Sequence, residues 1–184
     1  MAEPAKQKLI FASSIEALLK AAEGNIKPET EKQLGELRMY FRKPVDPAYP
    51  AEHWAQAVRL VSRDMWPGES PEEQHKHLGE RTVRQFAETF MGKAMFAAAK
   101  VMGVTRSLQR MTNNLRTGAN FIETKLTTLD ERSHELWISD VSDVPGFYAG
   151  LIEAGKDFMP GWTDEMRIKQ RDGVACTYTL KRTK

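Results

Sequence analysis

The chain has 184 residues, a formal net charge of +2 and a single cysteine, Cys176. A chain of this length can bury a core without cross-links, and one cysteine excludes an internal disulfide. Hydrophobic residues make up 41% and charged residues 28%, an ordinary globular balance, and so small a net charge does not by itself define a nucleic-acid binder.

A first helix is expected from Ser14 to about Glu23, capped by Ser13 or Ser14, with Ile15, Leu18, Leu19 and Ala22 at helical spacing. Gly24-Asn25 ends it. A second helix starts at Pro28 and carries Leu34 and Leu37. Pro44, Pro47 and Pro50 then read as a stiff loop, because proline inside a helix loses a hydrogen bond. The third helix covers about Ala51 to Asp64 and stops at Trp66-Pro67-Gly68.

Ser70-Pro71-Glu72-Glu73 is the clearest helix start: a capping serine, a proline in the first turn and a glutamate for a capping box. Apolar residues from Val83 to Met102 keep a spacing of three to four. They predict one long central helix from about Ser70 to Met102, with a broad buried face. Gly79 and Gly92 lie inside it, and a close helix crossing would explain them. A kink near Gly79 is the alternative. A further helix runs from Thr105 to about Arg116.

After Gly118 the period falls to two. Strands are expected at Phe121 to Leu129 and Glu135 to Val141, then a helix from Val144-Pro145 to about Phe158. A second hairpin, Glu165 to Gln170 and Val174 to Arg182, turns at Asp172-Gly173. Val174, Cys176, Tyr178 and Leu180 are expected on its inner face. The fold class is therefore α+β: N-terminal helices with a long central helix, then a β-β-α-β-β four-stranded antiparallel sheet. One domain is expected over 1–184, helical to about 118 and sheet-bearing from about 119.

No stretch reaches the roughly 18 apolar residues of a membrane span. The apolar run Leu9-Ile10-Phe11-Ala12 is too short for a signal-peptide core. These readings place the protein in the cytoplasm, away from membranes.

Several short motifs recur in a characteristic order. They begin with Phe11-Ala12-Ser13-Ser14-Ile15-Glu16-Ala17-Leu18, Tyr49-Pro50 with Trp54, and Trp66-Pro67-Gly68. Leu78-Gly79, Thr89 through Gly92 and Gly103-Val104-Thr105-Arg106-Ser107-Leu108 follow. Arg116-Thr117-Gly118-Ala119-Asn120 and Phe147-Tyr148-Ala149-Gly150-Leu151-Ile152-Glu153-Ala154 complete the series. In this order and spacing the chain resembles a paralogous family of uncharacterised proteins expanded in myxobacteria. At greater distance, helices followed by β-β-α-β-β are similar to four-vinyl-reductase-type domains and the haem–nitric-oxide-binding group. That resemblance implies a small-molecule sensor or adaptor, hence a ligand-binding or regulatory role.

The candidate chemistry is sparse. His75 and His77 point about 200° apart on a helix and cannot share a metal there, and His53 and His134 are isolated. The haem-binding relatives carry a Tyr-x-Ser-x-Arg signature that this sequence lacks. No metal, no cofactor and no catalytic residue is assigned. Cys176, alone on an apolar strand face, reads as core. The acidic pairs are explained by caps, turns and helix starts.

Two groups of residues remain. Phe86, Phe90, Met91, Met95, Met102 and Met111 could line an apolar pocket between the central helix and the sheet, since methionine adapts to irregular shapes. Lys93, Lys100, Arg106, Arg110 and Arg116 fall in a stretch, Met91 to Gly118, without any acidic residue, and could attract an anionic partner. The leading reading is a non-enzymatic sensory or regulatory domain binding an apolar small ligand or a protein partner. The alternatives are a homodimeric interaction or assembly module and, more remotely, weak nucleic-acid binding through the basic residues.

Overall fold

The computed structural model describes residues 7–102, 104–155, 157 and 165–181, without the side chains of residues 91, 100, 104, 105, 165 and 166. Strand β1 (Leu9–Phe11) leads into helix α1 (Ala12–Ala22), followed by α2 (Pro28–Glu36). Strand β2 (Ala48–Pro50) precedes α3 (Ala51–Met65), α4 (Pro71–Ala87), α5 (Phe90–Met102) and α6 (Val104–Thr117). The C-terminal part is β3 (Thr124–Thr128), β4 (Ser133–Ile138), α7 (Pro145–Gly155), β5 (Glu165–Asp172) and β6 (Ala175–Lys181). The last four strands form one antiparallel sheet in the order β3-β4-β6-β5. This is the α+β plan expected from the sequence.

The sheet buries one face. Leu136 and Ile138 of β4 and Cys176, Tyr178 and Leu180 of β6 are buried, as their period of two requires. Val174, expected with them, is 54% exposed because it belongs to the turn after Gly173, whose φ of 60° favours glycine. Burial raises the pKa of the Cys176 thiol, so it remains a protonated core side chain.

The expected loop around Pro47 instead yields a two-stranded antiparallel sheet, β1 with β2, pairing Ile10 with Tyr49. The N-terminal strand is also fastened to the end of α6. Phe11 N donates to Gly118 O at 2.9 Å, and Asn120 Nδ2 donates to Gln7 O at 3.0 Å. Helix α1 consequently starts earlier than its serines suggest, with Phe11 at the cap position and no side-chain cap. Ser14 Oγ donates to Gly118 O at 3.3 Å instead.

The long central helix is two helices. Ser70 starts α4 as expected, its Oγ accepting from Glu73 N at 3.3 Å. The chain breaks at Glu88-Thr89. Thr89 Oγ1 accepts from Gly92 N at 3.0 Å and donates to Phe86 O at 2.6 Å. Thr89 therefore caps α5 three residues ahead of Gly92, the usual N-cap geometry. A Cβ on Gly92 would sit 2.0 Å from Phe86 O, so glycine is needed to turn this corner. The apolar spacing continues across the break because Phe86 and Phe90 are four apart, which is why the sequence pattern reads as continuous.

Gly79 lies mid-way along the unbroken helix α4, where it crosses α7, the most extensively packed pair of elements. A Cβ on Gly79 would lie 2.1 Å from Phe147 O. On the facing helix, a Cβ on Gly146 would lie 2.4 Å from Glu72 O, and one on Gly150 1.9 Å from Lys76 O. Three glycines thus let two backbones touch. The contact holds α7 in the interior, where Phe147, Tyr148 and Ile152 are buried.

Candidate ligand cavity

A partly open cavity of about 640 Å³ lies among the helices. One wall is α1, with Ser13, Ser14 and Ala17, continued by Ile10 of β1. Helices α5 and α6 form the opposite wall through Met95, Ala99, Met102, Ser107 and Met111. Thr82, Val83 and Phe86 of α4 and Phe147, Tyr148 and Leu151 of α7 also contribute. Trp54 of α3 reaches the same space, edge-on to Phe147 with ring centroids 5.2 Å apart and planes at 88°. The α4–α7 glycine crossing and the α4–α5 corner position these walls.

Of the residues expected to line a pocket, Phe86, Met95, Met102 and Met111 do so. Phe90 does not: it is 90% exposed, because the break at Thr89 starts a new helix and takes it out of the α4 register. The Met91 side chain lies outside the described residues. The position also differs from expectation. No residue of β3, β4, β5 or β6 is among the described lining residues, so the cavity opens between helices rather than against the sheet. Sequence reasoning misses the α1 wall, Trp54 and Thr82, which come singly from distant elements.

The basic residues are not one group. Arg110 lines the cavity, whereas Arg116 lines a separate, polar depression with Asn113, Asn120 and Glu123. Lys93 pairs with Glu88 at 3.5 Å. Arg106 is exposed, and the Lys100 side chain lies outside the described residues.

Most polar atoms in the cavity wall are already bonded. Thr82 Oγ1 donates to Leu78 O at 2.8 Å and Ser107 Oγ to Ala99 O at 3.1 Å. Asn114 Nδ2 contacts Met95 Sδ at 3.2 Å. Trp54 differs: it is 3% exposed and its indole Nε1 has no hydrogen-bond partner among the described residues. A buried donor without an acceptor costs about 1–3 kcal/mol.

The architecture is that of a haem–nitric-oxide/oxygen-binding (H-NOX) fold. The chain superposes on an oxygen-binding H-NOX domain related to soluble guanylate cyclases with a TM-score of 0.71 at 14% identity, covering 94% of this chain and 95% of that one. A point mutant of the T. tengcongensis H-NOX gives 0.68 at 16% identity, covering 94% and 97%. A structure concerned with haem redox potential and porphyrin distortion gives 0.68 at 16% identity, covering 94% and 95%. By sequence the chain belongs to the family described as protein of unknown function DUF2378, whose model matches residues 8–181. No curated protein matches it.

The likeness in fold to H-NOX structures raises haem, and the donor set among the described lining residues does not fit it. Haem iron is held by histidine, cysteine thiolate, tyrosine, or methionine with histidine. None of the four histidines is among the described lining residues. His75 is buried, beside the point where Gly146 packs on α4. His77 faces Glu69 at 3.1 Å and lies against Trp66. His134 Nδ1 is 3.2 Å from Thr128 Oγ1 on the sheet. Tyr148 does line the cavity, but burial, helped by the Asp140 charge, raises its pKa and so disfavours the tyrosinate that would bind iron. The methionines present thioethers without the histidine that accompanies them.

Among the described residues, no group of three or more His, Cys, Asp or Glu side chains could hold a metal ion. No helix among them is long and apolar enough to cross a membrane.

Proposed function

We propose that this chain is a non-enzymatic sensory or regulatory domain whose helical cavity binds an apolar small molecule other than haem. The observation that carries this reading is the cavity itself. Its volume lies within the roughly 300–1,000 Å³ of small-molecule sites. Its surface is mostly apolar, and the Thr82 and Ser107 hydroxyls in it are turned to internal partners. An apolar void left empty forfeits dispersion contacts on every wall, so an apolar occupant stabilises the fold. The H-NOX-like fold supports a sensor role by analogy, since fold alone does not determine function.

Titration with Nile red, a neutral dye that brightens in apolar surroundings, tests this. The expected result is saturable binding at one dye per folded chain. Emission that rises linearly with dye, without saturation, would count against the cavity as a site.

A second reading, a homodimeric assembly module, is favoured by the outer face of α5. Phe90, Ala97 and Val101 are exposed there at spacings of seven and four, a heptad-like stripe that can pack on a copy of itself. Sedimentation equilibrium decides it: a dimer that dissociates on Val101→Glu supports it, and a monomer throughout ends it.

A further inference from the structure

Arg110 is the one charged residue among the described residues lining the cavity. It is exposed, near Asn114 and Thr117 one and two turns further along α6, which are exposed as well. These residues form the rim, whereas Trp54, Phe96, Ala99 and Phe147 are buried and form the floor. The cavity therefore has a cationic mouth and an apolar interior.

Nothing among the described residues pairs with Arg110. No acidic residue occurs from Thr89 to Ile122, so α6 offers it no carboxylate one turn away. Its neighbour at that distance is Arg106, also cationic and exposed. Like charges four apart on a helix repel slightly, and an anion beside them relieves this. Glu88, the acid preceding the stretch, is engaged with Lys93.

The unpaired charge at the cavity mouth is thus the Arg110 guanidinium. A guanidinium matches a carboxylate through two parallel hydrogen bonds. We propose that the natural ligand is a long-chain carboxylate of the fatty-acid class, its apolar body in the cavity and its carboxylate on Arg110. This rests on the reading of the cavity as an apolar-ligand site and adds the chemistry of the head group.

Displacement of Nile red by dodecanoic acid and by its uncharged methyl ester tests the proposal, because the two share one apolar body. The wild-type chain should bind the acid at least tenfold more tightly than the ester. Arg110→Gln should abolish that preference, while Arg110→Lys keeps part of it and Arg106→Gln most of it. Arg110 is exposed, so these variants should fold as the wild type does. Equal affinity for acid and ester in the wild type, or a preference that survives Arg110→Gln, overturns the head-group assignment while the cavity reading stands. If the dye binds and neither compound displaces it, the fatty-acid class is overturned while the cavity reading stands; if the dye itself does not bind, both fail.

Discussion

Gly150→Ala is expected to destabilise the protein by about 3 kcal/mol or more, at or beyond the upper end of the overpacking range. The added methyl would lie 1.9 Å from Lys76 O and 2.8 Å from Glu80 N. Both are backbone atoms of α4, so no rotamer change relieves the clash. The helices must separate, and α7, which carries Phe147 and Tyr148 into the core, moves with the crossing. For a chain of this size about 3 kcal/mol lowers the melting temperature by roughly 6–12 °C. Gly35→Ala gives the opposite expectation. A Cβ there meets the Tyr40 ring edge at 3.3 Å, a half-exposed side chain that can yield. Its change should lie between zero and the roughly 1 kcal/mol that alanine gains over glycine in a helix. Thermal denaturation of the two variants measures both, and equal shifts would contradict the close crossing of α4 and α7.

Ala99→Phe is expected to reduce Nile red affinity at least tenfold while leaving the fold intact. Ala99 lies on the cavity wall, and its carbonyl accepts from Ser107 Oγ, a bond that the side-chain change does not remove. A phenyl ring at this position fills space that a ligand would use, and burying it adds apolar contact rather than removing it. The melting temperature of the unliganded variant should therefore equal or exceed that of the wild type. Unchanged dye binding would move the site away from this cavity.

The fold is readable in the sequence where regular spacing reports on burial. Trp54, Val58 and Val61 show the inner face of α3, and Cys176, Tyr178 and Leu180 show that of β6. Three features are not readable, each for a physical reason. Strands β1 and β2 have three residues each, too few to display a period, and β2 ends in Tyr49-Pro50, a pair that reads as loop. The break at Thr89 is set by a side-chain cap and a glycine, while the apolar stripe runs on through it. The cavity is assembled from α1, α3, α4, α5, α6 and α7, so no single helix pattern reveals it. Met95, Met102 and Met111 are legible as candidates because adaptable side chains gather where packing is irregular. Phe90 is misassigned by spacing alone because its position depends on the break. The four-residue spacing of Gly146 and Gly150, facing Gly79, is the available signal for the close crossing.

Mass spectrometry of the intact protein, purified from its native host without detergent and sprayed under non-denaturing conditions, tests the ligand cavity most directly. The expected result is a mass excess corresponding to one apolar small molecule per chain, lost on denaturation and absent from Ala99→Phe prepared in parallel. The bare polypeptide mass in both samples, with no saturable dye binding, would contradict a ligand-binding role for the cavity. A mass excess matching haem, with an iron-dependent absorption band, would contradict the donor-set argument.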